Sequence, residues 1–505
     1  MGRKYNFDYI VIGSGPAGST TALILAKAKK HVAVVEGRAF GGANLNTRDI
    51  PYGVSLGFSH IFSNFMNYPE VRGQDFHFNF PTVVAHQDYV VNQLGGDQRK
   101  MFEEANITCI EGYAHFLDDH TVAVGDQQYT AEIFVLATGA RLKTSEISGL
   151  DTVNYLTPDT AVKIRRLPKF AFVVGGGPTG CEIAEYYAEL GAKVLIMERA
   201  SRLLPLEDKE ASETLTDYFV NELGMMVITG SKVVAVEQDG LTKRVIFSNG
   251  EQEKMVRVDC VVIATGSAPV VDMGLENAGV KYKKSGIIVN RFFQTSVKNI
   301  YALGDAIPGD SSTERSEYEA QVLATNLVNH AKSYVNYNGF IRRVSTYPEI
   351  ATVGMNERAL AKHDIKYKKA LVELKDLPAS KLERLDYGFV KLFADGSNHI
   401  VGATIVAPNA SLMAEELSLA IRHRLSALEI ASTPHIVNSY NHAIKLAAKQ
   451  LIAGKKVTKH KMLPKKDGGA AKEVKESKIK GLSAKGLKVK GLKIGLKKEK
   501  GEAKK

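Results

Sequence analysis

The chain has 505 residues, 44% of them hydrophobic, enough for about three domains with buried cores at ~150 residues each. Its formal charge of +11 is not evenly spread: residues 456–505 hold 18 lysines, no arginine and 5 acidic residues, a local +13, which leaves −2 on the first 455. Three scattered cysteines (Cys109, Cys181, Cys260), no apolar leader and no run of ~20 apolar residues argue against a secreted disulfide scaffold or a spanning chain, and the expectation is a cytoplasmic protein.

The first element is the apolar run Tyr9-Ile10-Val11-Ile12, read as a strand. It leads into Gly13-Ser14-Gly15-Pro16-Ala17-Gly18, an Ala/Leu-rich helix, and a strand over 31–35 that ends at Glu36. In such a unit the first glycine permits a tight turn, the second lets backbone approach a pyrophosphate, and the third lets helix and strand pack closely. The helix N-terminus offers free N–H groups to phosphate, and the acid accepts hydrogen bonds from a ribose diol.

Further along, Ile133-Phe134-Val135-Leu136 reads as a strand ending in Ala137-Thr138-Gly139. Then the first pattern returns. Phe170-Ala171-Phe172-Val173-Val174 leads into Gly175-Gly176-Gly177-Pro178-Thr179-Gly180, a helix, and a strand over 193–197 that ends at Glu198. In both copies the acid falls 18 residues after the third glycine. One glycine motif alone would fit an ordinary packing turn; two framed copies with acids at one offset specify two dinucleotide sites. A second strand, Cys260-Val261-Val262-Ile263, ends in Ala264-Thr265-Gly266, and Ile300-Tyr301-Ala302-Leu303 ends in Gly304-Asp305, either an ordinary turn or a place where the aspartate holds a polyol.

Taken together, residues 5–450 resemble the pyridine nucleotide-disulfide oxidoreductase family, in particular its dihydrolipoamide dehydrogenase and mercuric reductase branch. The C-terminal runs Tyr347-Pro348-Glu349-Ile350-Ala351-Thr352-Val353-Gly354, Tyr387-Gly388-Phe389-Val390-Lys391-Leu392 and Val401-Gly402-Ala403 resemble its interface domain. The resemblance implies an α/β fold with two Rossmann-like domains and a C-terminal α+β dimerisation domain, followed by a disordered basic tail. The expected boundaries are 1–150 and 281–340 for the FAD domain, 151–280 for the NAD(P) domain, 341–455 for the interface and 456–505 for the tail. It assigns FAD to Gly13, Gly15, Pro16, Ala17, Gly18, Glu36, Gly42, Ala114, Thr138, Gly139 and Asp305. It assigns the nicotinamide nucleotide to Gly175, Gly177, Thr179, Gly180, Glu182, Glu198 and Gly266. Glu198 favours NAD(H), since a carboxylate repels a 2′-phosphate; Arg199 and Arg202 nearby keep NADP(H) open. A homodimer is likewise implied by the resemblance.

The family's redox chemistry does not carry over. It expects two cysteines five positions apart, followed by Ile-Pro-Ser-Lys; here the run is Asn44-Leu45-Asn46-Thr47-Arg48-Asp49-Ile50-Pro51-Tyr52-Gly53. Asn44 and Asp49 stand where the cysteines belong, and Gly53 where the lysine does. Neither side chain can form a mixed disulfide. Near the C-terminus the family's His-Pro-Thr-x-x-Glu becomes Val437-Asn438-Ser439-Tyr440-Asn441-His442, so a valine replaces the acid–base histidine. His435 and His442 are the remaining acid–base candidates there, against a packing or surface role for both. Asp49 is either a proton donor or half of a solvated loop pair with Arg48.

The expected activity is therefore transfer of electrons from NAD(P)H through FAD to a non-disulfide acceptor: a small molecule such as a quinone, second nucleotide, metal or oxygen, or a protein. The alternatives are a flavin-binding scaffold without turnover and an atypical disulfide reductase. The tail, with its Lys-Gly-Leu repeat at 480–482, 485–487 and 490–492, is either a solubilising extension or a contact for an acidic protein or anionic membrane surface. It lacks the arginines and aromatics that specific nucleic-acid recognition would use. Deleting residues 456–505 is expected to leave NADH oxidation and flavin content unchanged; a colourless truncated protein would refute this.

Overall fold

The computed structural model describes residues 4–68, 70–71, 79–143 and 147–454, with three two-residue strands between 488 and 496. The expectations for the tail lie outside the described residues, apart from those strands; the last, Gly495–Leu496, pairs with Lys254 and Met255.

The helices that position the site are, in chain order, α1 (Pro16–Lys27), α2 (Gly42–Asn46), α3 (Asp49–Asn67), α4 (Phe80–Glu104), α5 (Pro158–Ala161), α6 (Pro178–Glu189), α7 (Lys209–Asn221) and α8 (Thr313–Asn329). The first sheet places the strands Thr108–Glu111, Val32–Glu36, Phe7–Ile12, Gln127–Leu136 and Ile300–Ala302 side by side, all parallel. Its central strands read as unbroken apolar runs because helices cover both faces; Ile10, Val11, Val34, Phe134 and Val135 are fully buried.

A second parallel sheet repeats the arrangement with Met226–Ile228, Lys193–Met197, Phe170–Val174 and Cys260–Ile263 in that spatial order. In both sheets the chain steps outward from the glycine-motif strand and returns on its other side. The reversal leaves a crevice beyond the carboxyl ends of the central strands, where such sheets take ligands.

The third sheet is antiparallel, ordered Ile341–Val344, Glu349–Gly354, Ile400–Ala407, Phe389–Ala394 and Lys368–Glu373, with the helices Ala410–Arg422 and His442–Ile452 packed on it. Its strand Phe389–Ala394 carries a fully buried lysine. Lys391 Nζ lies 2.9 Å from Glu210, 3.2 Å from Glu357 and 3.4 Å from Asp208, two of them at the start of α7. This cluster fastens the third sheet to the second nucleotide unit. No helix among the described residues is long and apolar enough to cross a membrane.

Candidate functional site

The two glycine units are alike in atomic detail. Gly13 has φ +103°, and a Cβ there would fall 2.3 Å from the Ala137 carbonyl oxygen; Gly175 has φ +111° and faces Ala264 at 2.4 Å. The Ala-Thr-Gly segments therefore pass directly across the glycine turns. Glu36 Oε2 accepts from the Ser14 backbone N–H at 3.0 Å and Oε1 from that of Arg38 at 2.9 Å. Glu198 repeats this, accepting from Gly176 at 2.7 Å and Ala200 at 2.7 Å. The first unit has an addition: Ser14 Oγ also donates to Glu36 and accepts from the Gly41 N–H, which ties the acid to the segment before α2.

A single cleft of about 1960 Å³ runs between the sheets. Single-ligand pockets are roughly 300–1,000 Å³, so it has room for two dinucleotides. Gly13, Gly15, Pro16, Ala17, Glu36, Gly42, Ala114, Thr138, Gly139 and Asp305 line it on one side, and Gly177, Thr179, Glu182 and Gly266 on the other. Gly18, Gly175 and Gly180 do not; they serve the close packing of turn against helix. Glu198 also stands back from the lining, held by its backbone donors, and Arg202 is turned onto the carbonyls of Pro205 and Glu207.

The residues fit FAD. Gly42, at φ +61°, lies so close to Gly15 that a Cβ would sit 2.7 Å from the Gly15 Cα, leaving two bare stretches of backbone beside the α1 N-terminus. Asp305 closes the far end next to Ser311, which donates to it, and burial pushes its carboxyl up. On the opposite wall Glu182 accepts from the Ser345 N–H at 2.8 Å, and burial raises it as well.

Between these walls lies the segment that departs from the redox pattern. Asn44 Nδ2 donates to Asp49 Oδ2 at 2.8 Å and to Thr313 Oγ1 at 2.7 Å, and Thr313 donates to the same Asp49 oxygen at 2.6 Å. A closed polar triangle thus occupies the place of the thiols. Thr313, the first residue of α8, was not foreseen; its only sequence signal was its nearness to Asp305. The solvated loop pair with Arg48, one of the two readings of Asp49, is not formed. Arg48 Nε instead bonds Asp159 in α5 at 2.6 Å, because Asp49 opens α3 and faces α8. Tyr52 is buried, donating to the Pro158 carbonyl at 3.0 Å. None of the three cysteines lines the cleft, and all three are free thiols.

Beyond the triangle, α3 presents Gly53, Gly57, His60, Ile61 and Asn64 to the cleft. A Cβ at Gly53 or Gly57 would meet nothing within 4 Å among the described residues. Gly53, where the resemblance implies a lysine, thus faces open space among the described residues.

Neither His435 nor His442 lines the cleft of its own chain. His435 is held between the Thr433 carbonyl at 2.9 Å and Glu416 at 3.1 Å. His442 is pushed down by burial and by His435, Lys445 and Lys449. Around the His435–Glu416 pair the surface is apolar: Leu412 and Leu419 flank Glu416 on one helix face, and Ile436 and Val437 follow His435, all exposed. Exposed apolar groups of this kind on an antiparallel-sheet domain suit association with a second copy.

Comparisons with known proteins agree with this geometry. The family model for pyridine nucleotide-disulphide oxidoreductases matches residues 7–330, and that family's dimerisation-domain model matches residues 342–448, which supports a homodimer. The chain is 30% identical to a mercuric reductase from Bacillus cereus over 450 residues, 88% of this chain and 71% of that one. It is 32% identical to a dihydrolipoyl dehydrogenase from Geobacillus stearothermophilus over 443 residues, 85% of this chain and 92% of that one. Two solved structures share the fold. One is the HOCl-induced flavoprotein disulfide reductase RclA from Escherichia coli (TM-score 0.80, 22% identity, 89% of this chain and 100% of that one). The other is LpdA from Mycobacterium tuberculosis (TM-score 0.79, 23% identity, 88% and 99%). This chain belongs to the FAD-dependent pyridine nucleotide-disulphide oxidoreductases.

Proposed function

We propose that this protein oxidises NADH and hands the electrons directly to a small non-disulfide acceptor bound on the α3 face of the cleft. The observation that carries the reading is the Asn44–Asp49–Thr313 triangle beside an open, glycine-lined stretch of helix, with no thiol on the cleft wall. When bound, FAD supplies the hydride- and electron-accepting chemistry. The chain's own residues bind and orient. The N-terminus of α1 and the Gly15–Gly42 contact hold phosphate against bare backbone, and Glu36 receives a ribose diol. Gly177, Thr179 and Glu182 position the nicotinamide nucleotide. Glu198 disfavours a 2′-phosphate, and Arg202, engaged with two carbonyls, does not offset it.

At the polar triangle, Asp49 Oδ2 receives both donors, while Oδ1 makes no hydrogen bond among the described residues. Oδ1 is the atom offered to a donor on the acceptor, a nucleotide hydroxyl or N–H or the hydroxyl a quinone gains as it becomes a quinol, with Asn44 and Thr313 fixing its direction. A quinone or a second nucleotide has the flat shape that the Gly53–Gly57 face admits. Both nucleotide units retain their turns and acids, which favours turnover over a scaffold role. A disulfide reductase would need thiols that the cleft wall lacks.

Anaerobic NADH is expected to bleach the flavin of the purified protein, and a quinone to restore it, whereas lipoamide and glutathione disulfide should not. If neither NADH nor NADPH bleaches it, the reading fails. Thr313→Val and Asp49→Asn should slow reoxidation by roughly tenfold, equivalent to about 1.4 kcal/mol for one lost polar contact, with the bleaching rate unchanged.

A further inference from the structure

We propose that His60, Glu185 and Glu189 form a binding site for one divalent first-row metal cation of the zinc class, where α3, α6 and the loop before Pro348 meet. Glu185 and Glu189 are one turn apart on α6 and so share a face; His60 reaches them from α3. One donor atom from each residue lies within 4.8 Å of the other two.

His60 Nε2 is 3.4 Å from Glu185 Oε2 and 3.7 Å from Glu189 Oε2. Metal–ligand bonds of about 2.0–2.2 Å in a tetrahedron set their donor atoms about 3.3–3.6 Å apart, so the 3.4 Å separation falls on such an edge and the 3.7 Å one just beyond it. They do not match hydrogen bonds. Nε2 is buried with no hydrogen-bond partner among the described residues, a costly state for a polar atom without a ligand.

Charge points the same way. Both glutamate side chains are essentially inaccessible to solvent, at 0% and 1% exposure, and among the described residues no lysine or arginine pairs with either. Two buried carboxylates facing one imidazole lack countercharge, and a dication provides it. The oxygens are oriented as ligands usually are. The Tyr347 backbone N–H donates to both Glu185 oxygens at 2.9 and 3.0 Å, and Ser59 Oγ donates to Glu189 Oε2 at 2.6 Å.

One imidazole and two carboxylates suit zinc, manganese or iron(II); a soft cation would call for thiolate. His60 and Tyr347 border the main cleft, so entry and a fourth, water-held position come from that side. A bound cation would stitch α3 of the first nucleotide unit to α6 of the second.

The test uses the full-length, FAD-loaded protein, stripped with chelator and titrated with Zn²⁺ by calorimetry. One Zn²⁺ per chain is expected, with affinity reduced at least about 10–100-fold in both His60→Ala and Glu189→Gln. Cobalt(II) should give the visible bands of a four-coordinate site, absent in Glu189→Gln. No Zn²⁺ uptake by the stripped wild type would overturn the proposal and leave a proton shared among the three groups; so would undiminished uptake by both variants. If the variants do not fold, the wild-type cobalt spectrum decides alone, and a six-coordinate spectrum refutes the site.

Discussion

Gly42→Ala is expected to yield a folded protein that retains little or no flavin. The alanine Cβ would lie 2.7 Å from the Gly15 Cα and 3.1 Å from its nitrogen, both backbone atoms that cannot swing aside. A carbon–carbon contact needs about 3.5–4.0 Å, so the two loops must part by roughly an ångström. The left-handed φ of +61° adds about 1–2 kcal/mol of strain for a residue with a side chain. Parted loops no longer present their backbone N–H groups at phosphate distance. A misplacement of that size costs on the order of 100-fold in a site that works by positioning. Reconstitution of the stripped protein with FAD, followed by visible absorbance, measures this directly. Gly96→Ala on α4, where an added Cβ meets nothing within 4 Å, is the control and should keep its colour. Full flavin content in the Gly42 variant would show that the Gly15–Gly42 approach is not part of the cradle.

Lys391→Met should destabilise the protein by about 3–5 kcal/mol, the usual result of removing one partner from a buried ionic cluster. The amine is fully buried, which by itself would lower its pKa, but Asp208, Glu210 and Glu357 together hold it above the ordinary lysine value. Methionine fills a similar volume, so the loss is chiefly electrostatic: three carboxylates would be left facing one another. Asp208 also accepts from Thr404 at 2.9 Å and from the Glu357 N–H at 3.1 Å, so it cannot turn to water without breaking those bonds. The expected readouts are a lower denaturant midpoint and looser docking of the third sheet, seen as faster amide exchange in the strand Phe389–Ala394. A double change, Lys391→Met with Glu210→Gln, should recover part of the loss. If Lys391→Met is neutral, the cluster is not what joins these units.

The duplicated nucleotide units were legible in the sequence because each is a local construction. Strand, glycine turn, helix, strand and acid fall within some thirty contiguous residues, and the spacing alone predicts the turn and the direction of the acid. The two Rossmann-like domains and the dimerisation domain came from the family resemblance, whereas the passage of the Ala-Thr-Gly segments across the glycine turns was visible only in the structure. Element ends were less exact: the strand expected to begin at residue 9 begins at Phe7, and the one expected over 133–136 extends back to Gln127. Sheet hydrogen bonding extends past the apolar core, where the hydrophobic pattern no longer reports it.

The redox segment shows where that legibility ends. The sequence, through its family resemblance, determined that Asn44 and Asp49 stand where thiols are expected and Gly53 where a lysine is, and a residue name alone settles that neither Asn nor Asp can do thiol chemistry. It did not supply the partners. Thr313 meets Asp49 from 264 residues away, Ser59 meets Glu189 from 130, and Arg48 leaves its neighbour for Asp159 across 111. Which polar groups close a triangle, which carboxylates face an imidazole and which side chains leave a glycine-lined face open depend on how α3 packs between α6, α8 and the third sheet. That packing is decided by burial summed over the whole molecule, and only the tertiary structure carries the sum.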